Sequence, residues 1–349
     1  MSNMTAQVCQ VDPIEINNFW KNTLGILYSL VGVSALIGNV VVILIVLCRR
    51  PMQTVPNLFI CSLSLADIII ALSSLWATPM YFYLKTWLWG QSMCYLVYAV
   101  QGASLMWVSY TLTALAIDRY RMVVSPFCRS ISISSCFLII LGTWMFSLFI
   151  LSPMLYHVIY VELPCHKFCF EDWRPHDEFR LYYGIMVLVV RSVIPLLVIG
   201  WCNWKIARKL NDQRKRFSGT NRLRHTEVCR KQRLQNILKG MVVIFAVSSV
   251  PLDAFNVIQD FSIVWRTKII DDEYGNLVFL FSHWSAMSGT LLNPLIYAYW
   301  NENFRRQAAL FFGRQKASFT GIFESIVSHS VVHKSSRQNS VILHEAVAL

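Results

Sequence analysis

Charge is scarce in this chain. Of its 349 residues, 14% are Asp, Glu, Lys or Arg and 55% are apolar, with a mean hydropathy of +0.47. Soluble domains carry about a quarter charged residues, so this composition excludes an ordinary soluble fold. No secretory leader is visible either: residues 1–23 are polar and mixed, without a basic start followed by an apolar run. The first apolar segment is then expected to act as both signal and anchor. Ten cysteines are too few for a disulfide scaffold. Neither a CxxC pair nor a His/Cys ligand spacing suggests zinc. No inverted repeat with matching broken segments is visible, which disfavours a transporter or channel subunit.

What is present is a series of seven apolar segments, each long enough to span a bilayer: Leu24–Cys48, Asn57–Leu84, Cys94–Val124, Ser134–His157, Arg180–Leu210, Gln235–Ser262 and Asn276–Trp300. This is expected to be an all-α membrane protein with mostly short linkers and antiparallel neighbours. The third segment organises the rest. At about 1.5 Å per residue, the steps from Cys94 to Arg119 cover roughly 37 Å, which joins one membrane face to the other.

Orientation follows from basic residues, which concentrate in cytoplasmic loops. Between Lys205 and Lys239 stand twelve Lys and Arg against Asp212 and Glu227. Arg49 and Arg50 add to the first-to-second link, and Arg119, Arg121 and Arg129 to the third-to-fourth. The alternate loops are acidic, with Glu162, Glu171, Asp172, Asp177 and Glu178 in one and Asp271, Asp272 and Glu273 in the other. The N-terminus (1–23) is expected outside, where Asn3-Met4-Thr5 is a glycosylation sequon, and the C-terminus inside. The formal charge of +12 is thereby explained by a membrane surface and a cytosolic partner, without nucleic acid. Residues 301–315 read as a short amphipathic helix on lipid. Residues 316–349 read as a serine-rich tail open to phosphorylation. Val347-Ala348-Leu349 is compatible with a PDZ domain adding a strand.

Polar residues inside apolar helices are costly and call for a reason. Asn39 sits in Gly38-Asn39-Val40-Val41, and Asp67 in Leu63-Ser64-Leu65-Ala66-Asp67. Asp118-Arg119-Tyr120 ends the third segment. Trp144 and Pro153 lie in the fourth, Pro195 in the fifth, Pro251 in the sixth, and Asn293-Pro294-Leu295-Ile296-Tyr297 closes the seventh. In this order the set resembles the rhodopsin-like G-protein-coupled receptors, over residues 24–312. The resemblance implies a receptor rather than an enzyme. It implies no cofactor, though many such receptors hold a sodium ion in a polar core here matching Asp67, Asn39 and Asn293. Arg119 is implied to meet a heterotrimeric G protein when the sixth helix swings out, with Asp118, Tyr120, Phe245, Pro251, Pro294 and Tyr297 in the switch. Arrestin and receptor kinases are implied partners of the tail. Cys94 is implied to bond a cysteine of the second outer loop. Cys165 and Cys169 are both candidates, and the run Cys169-Phe170-Glu171-Asp172-Trp173, similar to peptide receptors, favours Cys169. Cys165 then pairs with Cys9 or remains free.

Seven residues after Cys94, where amine receptors carry an aspartate, this chain has Gln101. That is similar to the neuropeptide Y, neuropeptide F and RFamide receptors. Asp260, Asn256, His283, Thr78 and Tyr81 also match this branch. It implies that Asp260 pairs with the arginine of a peptide ending in Arg-Phe-amide or Arg-Tyr-amide. A partly dehydrated carboxylate holds a guanidinium by two parallel hydrogen bonds. Gln101, His283, Thr78 and Tyr81 would then meet the terminal amide and ring. The plain alternatives are a solvated helix end for Asp260 and a satisfied interhelical hydrogen bond for His283. A non-peptide, chemosensory ligand is the other functional alternative.

The chain departs from the family pattern in three places. Ser249 stands where a tryptophan is usual, Asn203 where a tyrosine is, and Lys231 where an acid is. Two further charges lie in apolar segments, Arg191 and Asp253. They are expected to pair across the fifth and sixth helices, unless Asp253 is a second seat for a ligand arginine.

Overall fold

A computed structural model describes residues 17–125, 131–217, 222–267, 269–270 and 272–313. Asn3, Cys9, Arg129, Asp271, the serine-rich tail and Val347-Ala348-Leu349 lie outside the described residues.

Seven helices follow one another: α1 Asn18–Cys48, α2 Val55–Leu84, α3 Gly90–Val124, α4 Ile133–His157, α5, α6 Arg222–Val264 and α7 Asp272–Trp300. The fifth, α5, runs Asp177–Leu188, passes a π turn at Val189–Val193 and continues as Ile194–Phe217. Helices α1 to α6 have the length and hydropathy to cross a bilayer; α7, at 29 residues, has the length and completes the seven. Large apolar side chains are exposed along them, such as Leu138, Phe149 and Leu197, as expected where lipid rather than water is the outer solvent. The 43 residues of α6 rise roughly 64 Å, about twice a hydrocarbon core, so this helix projects well beyond the bilayer.

Helix ends differ from the sequence expectation for local reasons. The first helix starts at Asn18 rather than Leu24, because the Asn17 side chain caps it by accepting from the Phe19 N–H at 2.9 Å. The Ser132 hydroxyl caps α4 through the Ser135 N–H. α2 stops at Lys85, which sits in the left-handed region at φ 53°.

The bundle is all-α as expected, and one short strand pair stands in a connection between its helices. Between α4 and α5 lies an antiparallel hairpin, β1 Val158–Glu162 and β2 Lys167–Glu171, with Tyr160 opposite Cys169. Both strands are rich in β-branched and aromatic residues. The hairpin is fixed by the Cys94–Cys169 disulfide, with Cα atoms 5.7 Å apart. Around that bond Ala77, Trp87, Val97 and Val158 form a buried cluster. Trp87 donates its N–H to the Lys167 carbonyl at 2.7 Å, tying the α2–α3 loop to the same hairpin. Cys165 is disulfide-bonded as well; Cys9, the partner expected for it, is among the residues not described.

Residues 302–313 form a separate helix. Phe304, Ala308 and Phe311 recur on one face at helical spacing, with Arg305 and Arg306 between them.

Candidate functional site

Three groups of buried polar residues stand out in the bundle. The first joins α1, α2, α3 and α7. Gln101 Nε2 lies 2.8 Å from His283 Nε2, and His283 Nδ1 lies 2.9 Å from the Tyr28 hydroxyl. Tyr28 donates its proton to the Leu280 carbonyl at 2.8 Å. Only one tautomer satisfies all three contacts: Gln101 donates to His283 Nε2, and His283 Nδ1–H donates to the Tyr28 oxygen. His283 is 1% exposed and stacks on Tyr28, so it acts as an interhelical tie rather than as an open contact. Lower in the bundle, Asn293 donates to Asp67 at 3.0 Å. Asn39 donates to the carbonyls of Ala35 and Thr290. Gly38 lets α1 approach α7 here, since a Cβ at that position would meet the Pro294 ring at 3.1 Å.

The second group lines a cavity of about 180 Å³ walled by α4, α5, α6 and β2. Two ion pairs border it. Near the hairpin, Arg180 Nε donates to Asp260 Oδ1 at 2.7 Å. Deeper, Arg191 pairs with Asp253, which also accepts from the Ser192 hydroxyl at 3.2 Å. The π turn explains this second pair. A π turn shifts the register of the following residues and frees carbonyls from the helical ladder. Here Ser109 Oγ donates to the Arg191 carbonyl at 2.6 Å and Tyr110 to that of Val190 at 3.3 Å. Helix α3 thus stabilises the turn that places Arg191. A third acid, Glu171 on β2, lines the same cavity and accepts from the Trp173 indole. Asn256 lines it too. Outside the membrane-spanning helices, Asp172 just beyond β2 is held down to about 2 by hydrogen bonds from Arg174.

The third group lies at the opposite end. Arg119 faces a pocket lined by Asn57, Leu234, Leu238 and Tyr297 among others, and Tyr297 donates to Asn57 at 3.0 Å. Lys231 is exposed. In place of an acid on Arg119, Asn203 and Gln235 bond to each other across α5 and α6. At the Ser249 level, α6 and α7 close through small residues: Ser285 Oγ donates to the Ser248 carbonyl, and a Cβ on Gly289 would sit 3.1 Å from Ser248 Oγ. Phe245 is buried just below.

The family follows from most of the chain. Residues 38–297 match the model of the 7 transmembrane receptor (rhodopsin family). The chain belongs to the rhodopsin family of seven-transmembrane receptors. It is therefore a multi-pass membrane receptor and no enzyme. Among curated relatives, it is 32% identical over 296 residues to neuropeptide Y receptor type 6 of Oryctolagus cuniculus, covering 80% of this chain and 78% of that one. It is 30% identical to neuropeptide FF receptor 2 of Rattus norvegicus, covering 80% and 69%. To neuropeptide receptor 3 of Caenorhabditis elegans it is 29% identical over 327 residues, covering 90% and 85%.

The expected ligand set is divided by the structure. Asp260, Asn256, Asp253 and Arg191 share the α4–α5–α6 cavity, whereas Gln101 and His283 are tied to α1. Tyr81 packs on Trp87 beside the disulfide, and Thr78 is half-buried on α2. Cys169, not Cys165, bonds Cys94. Sequence reasoning missed Arg180, Gly184 and Tyr28. Arg180 was legible as the one basic residue at the start of α5, on the same side of the bilayer as Asp260.

Proposed function

We propose that the chain is a cell-surface receptor for an amidated neuropeptide ending in Arg-Phe or Arg-Tyr, and that peptide binding at the hairpin end shifts the bundle toward a state that activates a heterotrimeric G protein. The observation that carries this reading is the buried carboxylate of Asp260 holding a guanidinium at 2.7 Å. It is a seat of the right chemistry, at the mouth of a cavity with apolar walls of Leu151, Met154 and Val257. At the deeper end Arg191 Nε is buried without an acceptor, and a carbonyl oxygen of the terminal amide is chemistry that satisfies it. The names of the relatives support the peptide class.

In this reading the N-terminus and hairpin are extracellular and the C-terminus is cytoplasmic, as the basic connection between α5 and α6 favours. Arg119, Asp118 and Tyr120 meet the G protein when α6 moves away, with Phe245, Pro251, Pro294 and Tyr297 transmitting the change. Receptor kinases and arrestin act on the tail, a PDZ domain takes Val347-Ala348-Leu349, and residues 302–313 rest on lipid. The sequon at Asn3 carries a glycan. A sodium ion fits the core by donor chemistry: the Asp67 carboxylate and the orphaned Asn293 and Asn39 Oδ1 atoms are hard oxygen donors. If it binds there, Asp67→Asn abolishes the sodium dependence of agonist affinity.

The deciding experiment is G-protein activation in cells by amidated peptides ending in Arg-Phe or Arg-Tyr, with Asp260→Ala alongside. Activation that disappears with Asp260→Ala, and that falls to a weak residual response when the peptide arginine becomes citrulline, supports both ligand class and anchor. Activation that survives both changes removes Asp260 from the site. Silence from a well-expressed receptor rejects the peptide class.

A further inference from the structure

The Asp260 seat is already taken by a residue of this chain. We propose that Arg180 is an internal stand-in for the ligand's arginine, that the two guanidinium groups exchange on Asp260, and that Arg180 thereby sets the threshold affinity of the receptor. The proposal rests on the peptide reading above and deepens it.

Stereochemistry leaves room for only one partner. Asp260 Oδ1 accepts from Arg180 Nε. Its Oδ2 lies against the backbone of α5 at Gly184, so close that a Cβ there would be 2.5 Å away. One oxygen is therefore engaged and the other is pressed on a helix surface that only glycine opens. Only Oδ1 is presented to the cavity and Arg180 occupies it, so an incoming arginine must displace Arg180 rather than join it. The exposures suit exchange: the Asp260 side chain is 9% accessible and that of Arg180 is 24%. The acceptor is fixed and enclosed, while the occupant has a way out. A displaced Arg180 also has a destination, because Glu171 lines the same cavity as a third acid against two arginines. The deeper pair differs, since Asp253 is held by Arg191 and Ser192 together and offers no such exchange. Gly184 is the positioning residue of the seat.

A site whose competent form is only fractionally populated binds its ligand more weakly by that fraction. Removing the internal competitor should therefore raise the potency of arginine-bearing peptides. The experiment uses the full chain with two readouts. In cells, Arg180→Gln is expected to shift the response to an Arg-Phe-amide peptide leftward by about tenfold, while the weak response to the citrulline analogue stays unchanged. In detergent, Arg180→Gln is expected to melt below wild type. Ethylguanidinium should restore it and ethylammonium should not, whereas wild type and the Arg180→Gln/Asp260→Asn double variant should not respond. Should Arg180→Gln fail to reach the surface, Arg180→Lys, which keeps the charge but not the fork, is expected to give a smaller leftward shift.

Unchanged or reduced peptide potency in Arg180→Gln, with Asp260→Ala still abolishing the response, overturns the exchange and leaves the peptide reading intact. No peptide response in any variant, with the guanidinium rescue present, rejects the peptide reading and retains an exchangeable guanidinium seat. Loss of both rejects both.

Discussion

The two sides of the bundle solve the problem of buried polarity in different ways. On the α1–α2–α3–α7 side, the Gln101–His283–Tyr28 chain and the Asp67–Asn293 and Asn39 contacts knit helices through hydrogen bonds. On the α4–α5–α6 side the helices stand apart around a cavity, and full charges face one another across it. The first arrangement is short-range and directional; each group has one geometry in which it is satisfied. The second acts over longer distance, and its long arginine side chains tolerate a change of partner. A receptor needs both: a frame that keeps its register, and a wall that responds when a charged ligand arrives. Had His283 and Gln101 lined an open pocket, as their positions suggested, the frame would have been weaker and the site larger.

The comparison breaks most decisively at the deeper ion pair. Removing one partner of a buried pair leaves an uncompensated charge, which costs about 3–5 kcal/mol, whereas removing both costs far less. Arg191→Gln and Asp253→Asn alone should each lower the melting temperature and surface expression sharply. The Arg191→Gln/Asp253→Asn double variant should recover most of the loss. Equal behaviour of the two single variants and the double variant would make the pair incidental. Gly184→Ala comes next. Its Cβ must push the Asp260 carboxylate aside, an overpacking cost of about 1–3 kcal/mol. Peptide potency is expected to fall roughly as stability does, and Gly184→Ser, with its larger side chain, should do worse.

On the frame side, Tyr28→Phe leaves His283 Nδ1–H buried without an acceptor, at a cost of about 1–3 kcal/mol. Melting temperature should drop while the potency ratio between the arginine peptide and its citrulline analogue stays the same. A changed ratio would place this chain of hydrogen bonds inside the ligand site after all.

The fold was largely written in the apolar periodicity. Seven spans, the Asp118-Arg119-Tyr120 end of α3 and the linkers needed only segment length and the penalty for charge in a membrane. The Arg191–Asp253 pair was legible for the same reason, since two opposite charges in neighbouring apolar helices have few other ways to be satisfied. Other features were hidden by locality. The β1–β2 hairpin depends on pairing across a turn and on a disulfide to α3. The role of His283 depended on Tyr28, 255 positions away in the chain, in a helix that otherwise looked uniformly apolar. Arg180 was visible but appeared only as the boundary of an apolar segment, because nothing local says that α5 and α6 bring it to Asp260. Gly184 carries no sequence signal of its own; its meaning exists only where another helix crosses it.

The smallest effect sharpens the contrast between enclosed and open charge. Arg174 pairs with Asp172 at 2.7 Å, but the arginine side chain is 72% exposed. The guanidinium holds Asp172 down to about 2, from an ordinary value of about 3.9. A carboxylate depressed on folding adds stability that is fully present above about pH 4 and is lost as pH falls through about 2. From pH 5 to pH 8 the contribution of this pair is therefore constant. Water and salt screen a pair in such a position. Arg174→Gln should leave peptide potency within about twofold of wild type at pH 7, and that small difference should shrink further as salt is raised. A fall in melting temperature and surface expression comparable with that of Arg191→Gln would mean that the loop after the hairpin holds its charges as tightly as the cavity does, and that distance from solvent is not what separates the two.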